Sequence, residues 1–227
     1  MAKFRARAWR AAVLSTGFAL AGCMPNGPVS GTMARLPTWY RYLSGDDVRQ
    51  ACAAGASDRV RFVYNAVWRE QVRAYEVAFT DYGARIDQYA WGPASILAFS
   101  PEGPLVAAET ASVGIDAART ARLERAMDAS DVAGPAPTGT FLRSDNFYWI
   151  VAACRNGQFH YNAFQQGDGR FEALSFPREL FDADRTGVAV NMPRGLDLRP
   201  VALIKPGDDK PFVVQVGANG LNVARWN

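Results

Sequence analysis

The residue types that most often carry out catalysis are scarce in this sequence. It contains one histidine, His160, and a Ser-His-Asp or Cys-His arrangement would need this residue as its general base. No Gly-x-Ser-x-Gly motif, which presents the nucleophilic serine of many hydrolases, is present. A zinc site takes three or four His, Cys or carboxylate ligands, and one histidine with two cysteines that we expect to pair does not supply them. We therefore predict no metal or cofactor, and we interpret His160 as a structural side chain within a strand.

The string from Asp182 to Gly187, Asp-Ala-Asp-Arg-Thr-Gly, is the strongest local candidate for a ligand site. It resembles the first half of an EF-hand loop, in which alternate oxygen ligands surround calcium, but Pro193 stands where that loop places its bidentate acid. The string also resembles the nucleophile motif of haloacid-dehalogenase-type phosphatases, which follows a buried strand of an alternating α/β sheet. Residues 177–181 do not match such a strand. Both assignments are alternatives to a plain turn, in which Asp and Thr side chains bond to the backbone.

The N-terminus contains the three regions of a bacterial export signal in their usual order. Four basic and no acidic side chains lie within residues 1–10, and a short, mostly apolar stretch covers residues 11–20. This stretch is shorter than the about 20 apolar residues that a membrane-spanning helix needs. It ends in Leu20-Ala21-Gly22-Cys23, which resembles the lipobox of bacterial lipoproteins. The alternative is an ordinary secretory signal that happens to be followed by a cysteine.

The lipobox resemblance implies both an address and an anchor. Lipoprotein signals are cleaved before the cysteine, so residues 1–22 would be removed and the Cys23 thiol would carry a diacyl group. Two or more acyl chains hold a protein stably on a membrane without a transmembrane helix. Met24 stands where inner-membrane retention signals have Asp, so the resemblance favours the periplasmic side of the outer membrane over the inner membrane. Residues 23–38, which contain three prolines, form the expected flexible tether.

Processing also changes what the charge of the chain implies. Removing residues 1–22 takes away four basic side chains and no acidic one, so the formal net charge falls from +3 to −1. A mature protein without net positive charge gives no support to nucleic-acid binding. The remaining chain is long enough for one substantial core, and we expect residues 39–227 to form a single domain. The Pro- and Gly-rich residues 134–139 indicate a sub-boundary within this domain, near residues 130–140.

Two cysteines remain after Cys23 is set aside. Exported thiols meet an oxidising compartment, and two cysteines allow one pairing, so we predict a disulfide between Cys52 and Cys154. Closing a loop of about 100 residues stabilises the folded state by about 4–5 kcal/mol in the chain-entropy description. Two buried reduced thiols are the alternative.

Hydrophobic alternation predicts a series of antiparallel hairpins. Residues 59–67, 71–80 and 84–91 alternate with a period of two and lie too close in sequence for parallel pairing. Asn156-Gly157 predicts a type I′ turn and a hairpin in which Cys154 faces Phe159. The fold class is therefore predicted as α+β, a single domain of antiparallel meanders packed against two helices.

The remaining elements are predicted less directly. Ser44 is expected to cap a first helix that ends at Gly55, and a second helix is expected over residues 115–128. Residues 92–114 are expected to be irregular. Short strands are expected at residues 170–174, 200–205, 212–216 and 221–225, and one helical turn at residues 177–184.

The aromatic run Trp39, Tyr40 and Tyr42, directly after the tether, is the best candidate for an exposed partner contact, because exposed aromatic patches usually mark interaction sites. Packing against the domain is the alternative. We favour a non-enzymatic lipoprotein that binds an envelope protein or glycan, or supports envelope assembly. The competing hypothesis is a periplasmic hydrolase whose carboxylates lie far apart in sequence. Convergent carboxylates in a pocket favour the enzyme, and a bare sheet edge favours the binder.

Lipidation gives the first testable prediction. Labelled palmitate should be incorporated into the wild-type chain and not into a Cys23→Ser variant, because the thiol of Cys23 is the acyl acceptor. Metabolic labelling followed by membrane fractionation measures both effects. Identical labelling, maturation and fractionation of the two proteins would contradict the assigned anchor.

Overall fold

The computed structural model describes residues 39–92, 98–100, 103–105, 108–200 and 211–226. The signal, Cys23 and the whole tether of residues 23–38 therefore lie outside the described residues, and so does the strand expected at residues 200–205 except for residue 200. Within the described residues, no helix is long and apolar enough to cross a membrane. The architecture is α+β in a single domain, as the sequence predicts.

In the described parts of the chain, the domain contains eleven strands and several helices. The strands, in chain order, are β1 (Arg59–Ala66), β2 (Gln71–Thr80), β3 (Gly83–Trp91), β4 (Ala98–Ser100), β5 (Gly103–Leu105), β6 (Ala108–Asp116), β7 (Phe141–Arg143), β8 (Phe147–Arg155), β9 (Gln158–Gln165), β10 (Phe212–Gly217) and β11 (Gly220–Trp226). The helices are α1 (Asp46–Ala53), α2 (Ala117–Ala129) and α3 (Phe176–Ala183), and residues 39–44 are also helical.

The main sheet has six strands in the order β6-β3-β2-β1-β8-β9, and its neighbouring strands are antiparallel. A second sheet has the order β11-β10-β7, and β4 and β5 form a separate hairpin. Strand β1 pairs with β8, so strands from both sides of residues 130–140 belong to one sheet. The predicted sub-boundary near residues 130–140 therefore does not separate two folding units.

The hairpins that the sequence predicts from local signals are present. Asn156 and Gly157 have φ values of 52° and 72°, as a type I′ turn requires, and Cys154 lies opposite Phe159 in the predicted register. The first three predicted strands form β1, β2 and β3, and the strands predicted at residues 212–216 and 221–225 form β10 and β11. Short-range turn chemistry and alternation were sufficient to place these elements.

Three local predictions are wrong. Residues 108–114, expected to be irregular, and residues 115–116, expected to begin a helix, form β6 and pair with β3 along its whole length. The strand expected at residues 170–174 is absent, and residues 170–173 form a turn. Ser44 does not cap α1, because Gly45 precedes that helix in the left-handed region (φ 67°) and the Ser44 hydroxyl accepts a hydrogen bond from the Leu221 amide at 3.2 Å. A Cβ atom at Gly45 would lie 2.4 Å from the Ala152 Cβ, so glycine is required there.

Both faces of the main sheet carry a core. We call face A the face covered by α2, α3 and residues 184–196, and face B the face covered by residues 39–44, α1 and the second sheet. On face A, Trp149 and Val151 of β8 are 1 % and 0 % exposed. The centre of the sheet is therefore closed on both sides.

The disulfide joins α1 on face B to β8. The sulfur atoms of Cys52 and Cys154 lie 2.03 Å apart, at disulfide-bond distance, in agreement with the pairing predicted from the cysteine count. The two residues are separated by 102 positions in the chain, so the bond ties the first helix to a central strand.

Removing this bond should destabilise the domain. A Cys52→Ala/Cys154→Ala double variant should lose about 2–5 kcal/mol of unfolding free energy, because its unfolded chain gains conformational freedom. Urea unfolding of the oxidised wild type and of the double variant measures the difference. Equal unfolding midpoints for the two proteins would show that the bond does not constrain the unfolded chain.

Candidate functional site

The outer edge of β6 is the most exposed structured surface of the main sheet. Of its nine residues only Ile115 is buried, and none of the described strands pairs with the edge that faces away from β3. The strand contains neither Pro nor Lys, and its nine residues pair with β3 without a bulge. Natural edge strands usually carry such features to prevent pairing with other chains. The centre of β6, from Thr110 to Ile115, also carries no charged side chain and is therefore, among the described residues, an open pairing edge.

The opposite edge strand, β9, is more deeply buried, although no described strand pairs with its outer edge either. Residues Tyr161 to Phe164 are buried, and the side-chain amide of Asn162 donates to the carbonyl of Asp131 at 2.9 Å. Arg170 donates to the same side chain at 3.0 Å. Other segments of the chain thus cover the side chains of β9, whereas those of β6 are mostly exposed.

A row of polar side chains crosses face B toward the β6 edge. The strand registers place Arg61, Glu76, Asp87 and Ser112 opposite one another on β1, β2, β3 and β6. The Ser112 hydroxyl donates to Asp87 Oδ1 at 2.7 Å, and Arg85 donates to Asp87 Oδ2 at 2.8 Å. We call these four residues the polar row. It brings two carboxylates onto neighbouring strands, close to the open edge.

The buried end of the polar row is organised by Arg61, whose side chain is only 5 % exposed. Its guanidinium donates to both oxygens of Asp47 at 2.7 Å and to Glu76 Oε1 at 2.5 Å. It also stacks 3.8 Å from the ring centroid of Tyr42, whose hydroxyl donates to Glu76 Oε1 at 2.9 Å. These contacts neutralise the guanidinium of Arg61, because burying a cation without such partners costs free energy of desolvation.

The electrostatics of this cluster do not fit acid–base catalysis. Burial opposes ionisation of Asp47, but the hydrogen bonds and charge of Arg61 lower the pKa of its carboxyl group below the ordinary value. Burial and the neighbouring Glu76 raise the pKa of Tyr42 well above its ordinary value. A carboxyl group that acts as a general acid near neutral pH needs a raised pKa, and that of Asp47 is lowered. The pKa of Tyr42 moves further away from neutral pH, so neither side chain suits that role. The cluster attaches α1 and residues 39–44 to the sheet.

Asp184, from the string considered above as a ligand site, lies on face A. Its Oδ2 accepts hydrogen bonds from Arg73 at 2.5 Å and Tyr75 at 2.7 Å, and its Oδ1 accepts from the backbone and hydroxyl of Thr186. Burial opposes ionisation of Asp184, but bonds from Thr186, Tyr75 and Arg73 lower the pKa of its carboxyl group. Its oxygens are thus engaged by protein donors. These contacts do not support the calcium or phosphatase interpretations, whereas the side-chain-to-backbone bonding of the turn interpretation is present between Asp184 and the Thr186 amide. Asp184 is in addition a buried structural anchor.

Arg73 fastens an extended segment, residues 184–194, across face A. Its side chain is 0 % exposed and also donates to the Val188 carbonyl at 2.5 Å. The side-chain amide of Gln71 donates to the Ala189 carbonyl at 2.9 Å, and the Tyr64 hydroxyl donates to the Asn191 carbonyl at 2.8 Å. Polar side chains of β1 and β2 therefore supply the backbone carbonyls of this segment with the hydrogen bonds that a neighbouring strand would otherwise give.

The other predicted site residues are placed as follows. Trp39 and Tyr42 are 3 % and 8 % exposed and Tyr40 is half-buried, so the expected exposed aromatic patch is wrong and the packing alternative holds. His160 lies half-buried on β9, opposite Ala153. Within the described part of the chain, no group of three or more His, Cys, Asp or Glu side chains could hold a metal ion.

Sequence reasoning missed both the β6 edge and the buried arginines. The alternation of Ala111, Val113 and Ile115 with polar or small residues was a usable signal for a strand. Arg61 and Arg73 also lie within alternating strands, but their partners lie elsewhere in the chain. The partner Asp184 is 111 positions from Arg73, so no local pattern connects them.

The chain matches no known protein family, and it matches no curated protein sequence. It is similar to one solved structure, described as "Crystal structures of trypanosoma bruciei MRP1/MRP2", with 12 % identity and a TM-score of 0.24 over 61 % of this chain and 93 % of that chain. A TM-score of 0.24 does not indicate a shared fold, so nothing about this chain is inferred from that similarity.

The Arg73–Asp184 pair should dominate the acid sensitivity of the domain. Asp184→Asn should cost about 3–5 kcal/mol at neutral pH, because it leaves a buried guanidinium without its counter-charge. The lowered pKa of the wild-type carboxyl means that its contribution is present above the unfolded pKa of about 3.9 and is lost as the pH falls through the folded pKa. Unfolding free energies at pH 7 and at pH 3 measure both effects.

Asp182→Asn is the matched control, because the Asp182 side chain is 64 % exposed two residues away. It should change the unfolding free energy by less than about 0.5 kcal/mol. Equal losses in the two variants would show that Asp184 is not a buried anchor.

Proposed function

We propose that this chain is a lipid-anchored protein of the bacterial envelope that binds another polypeptide by strand addition to the open edge of β6. The observation that carries the proposal is the contrast between the two ends of the main sheet. Neither edge strand has an outer partner among the described strands, but Tyr161 to Phe164 of β9 are buried, whereas only one of the nine residues of β6 is. An exposed sheet edge binds an extended segment mainly through backbone hydrogen bonds.

The site chemistry supports a binding role over hydrolysis. The carboxylates that the fold brings together, Asp47, Glu76 and Asp87, all accept hydrogen bonds from arginines. They lie on a sheet face and bind parts of the domain itself. A strand edge also favours a protein partner over a glycan, because its donors and acceptors match those of another backbone.

The envelope address rests on the signal and lipobox of residues 1–23. The tether of residues 23–38 enters the domain at Trp39, which packs on face B against Tyr42 and Trp68. The edge of β6 lies at the end of the sheet away from β8 and β9. An anchored domain of this kind can present that edge to a partner while its N-terminus stays at the membrane.

Site-specific photo-crosslinking in the native envelope tests the proposal. A photoreactive side chain at Thr110 on β6 should give crosslinked adducts, because this position is exposed next to the pairing edge. The same probe at Gln158, exposed at the start of β9, is the matched control and should give none. Adducts are detected by their mass after denaturing electrophoresis.

A second variant links the adducts to strand pairing. Val113→Lys introduces a charged side chain on the edge strand, which is a natural device against strand addition, and should reduce the Thr110 adducts several-fold. Adducts of equal yield from Thr110 and Gln158, or adducts unaffected by Val113→Lys, would contradict the proposal.

A further inference from the structure

We infer that the strand accepted by β6 is β6 of a second copy of this chain. This inference rests on the proposed pairing edge and specifies its occupant. In the pairing we propose, the two strands run antiparallel about a two-fold axis at Ser112, so that Ser112 lies opposite Ser112 of the second copy. The two six-stranded sheets then form one continuous sheet.

The first argument is that β6 is compatible with itself in charge. Its ionisable residues are Glu109 and Asp116, and it contains no basic residue. In the two-fold arrangement Glu109 faces Ile115 and Asp116 faces Ala108, so no acid lies directly opposite another acid. Like charges directly opposite one another destabilise a strand pair, and this register avoids them.

The second argument is the matching of faces. The register with β3 places Ala111, Val113 and Ile115 on face A, opposite Gln88, Ile86 and Ala84. Antiparallel pairing about Ser112 places Val113 opposite Ala111 of the second copy, so these two apolar positions meet on face A, while Ile115 lies opposite Glu109 on the same face. Val113 and Ala111 are half-buried in the isolated chain, and the pairing removes further apolar surface from water.

The third argument concerns space on face B. There the register places Thr110 opposite Gly114 of the second copy, and Ser112 opposite itself. A Cβ atom built at Gly114 meets no atom of the described residues within 4 Å, so they leave this side of the edge open. Small side chains facing one another allow the backbones to reach normal pairing distance without a steric conflict.

The fourth argument selects the register. When the two-fold axis passes through Ala111, Ser112 or Val113, residues opposite one another lie on the same face of the sheet. Face A of one copy then continues into face A of the other. The axis at Ser112 pairs all nine residues of β6, whereas either neighbouring axis leaves two residues at one end of the strand without a partner in the opposite β6. The longest backbone ladder therefore forms about Ser112.

Cysteine crosslinking on the full-length, lipidated protein in membrane vesicles tests this register. Opposing residues of an antiparallel pair have Cα atoms about 4.5–5.5 Å apart, within the range of a disulfide. Ser112→Cys should therefore form a covalent dimer under mild oxidation. Thr110→Cys is the matched control, because its two copies are about 14 Å apart at about 3.4 Å per residue, and it should give about tenfold less dimer.

A Thr110→Cys/Gly114→Cys double variant should restore the covalent dimer, because these two positions face one another across the two-fold axis. Circular dichroism checks that each variant is folded. Dimer yields from Ser112→Cys no greater than those from Thr110→Cys, in folded protein, overturn the inference. If the Thr110 photoprobe still gives adducts with a different protein, strand addition at β6 stands and only the second copy is rejected as its occupant. If the photoprobe gives none, both proposals fail.

Discussion

An open β-sheet must end in two edge strands, and the backbone donors and acceptors at each edge need a partner or water. The structure meets this requirement differently at its two edges. Contacts with Asp131 and Arg170 bury Asn162 of β9, whereas most of β6 is exposed, and neither strand has another strand beside its outer edge within the described chain. The function that we propose follows from this asymmetry, because a regular open edge is a surface that other chains can recognise.

Two buried arginines make that edge the available surface by closing both faces of the sheet. Arg61 attaches residues 39–44 and α1 to face B through Tyr42 and Asp47, and Arg73 attaches residues 184–194 to face A through Asp184. A buried ion pair adds little net stability compared with well-packed apolar side chains. Removing one partner is strongly destabilising, because the other charge stays buried without a counter-charge. These clusters therefore fix where the covering segments lie, and the disulfide between Cys52 and Cys154 adds a covalent constraint on α1.

Local signals in the sequence predicted the α+β class, the Asn156-Gly157 hairpin with its register, and the disulfide pairing, because each depends on a short-range pattern or on a simple count. The aromatic run at Trp39 was placed on the surface because aromatic clusters at a domain boundary resemble contact patches. The structure buries Trp39 through contacts with distant residues such as Trp68. Strand β6 was missed because its alanine, serine and glycine content has low strand propensity. Its pairing with β3 overrides that propensity, and no local pattern predicts such a contact.

Amide hydrogen exchange on β6 tests the central claim most directly, since it measures whether the edge of the sheet gains backbone partners. Exchange of peptides covering residues 108–116 is compared between the lipidated protein in its native envelope and the purified protein at high dilution, with residues 158–165 of β9 as the internal reference. The account predicts slower exchange of β6 in the envelope and unchanged exchange of β9. Equal exchange of β6 under both conditions would contradict it.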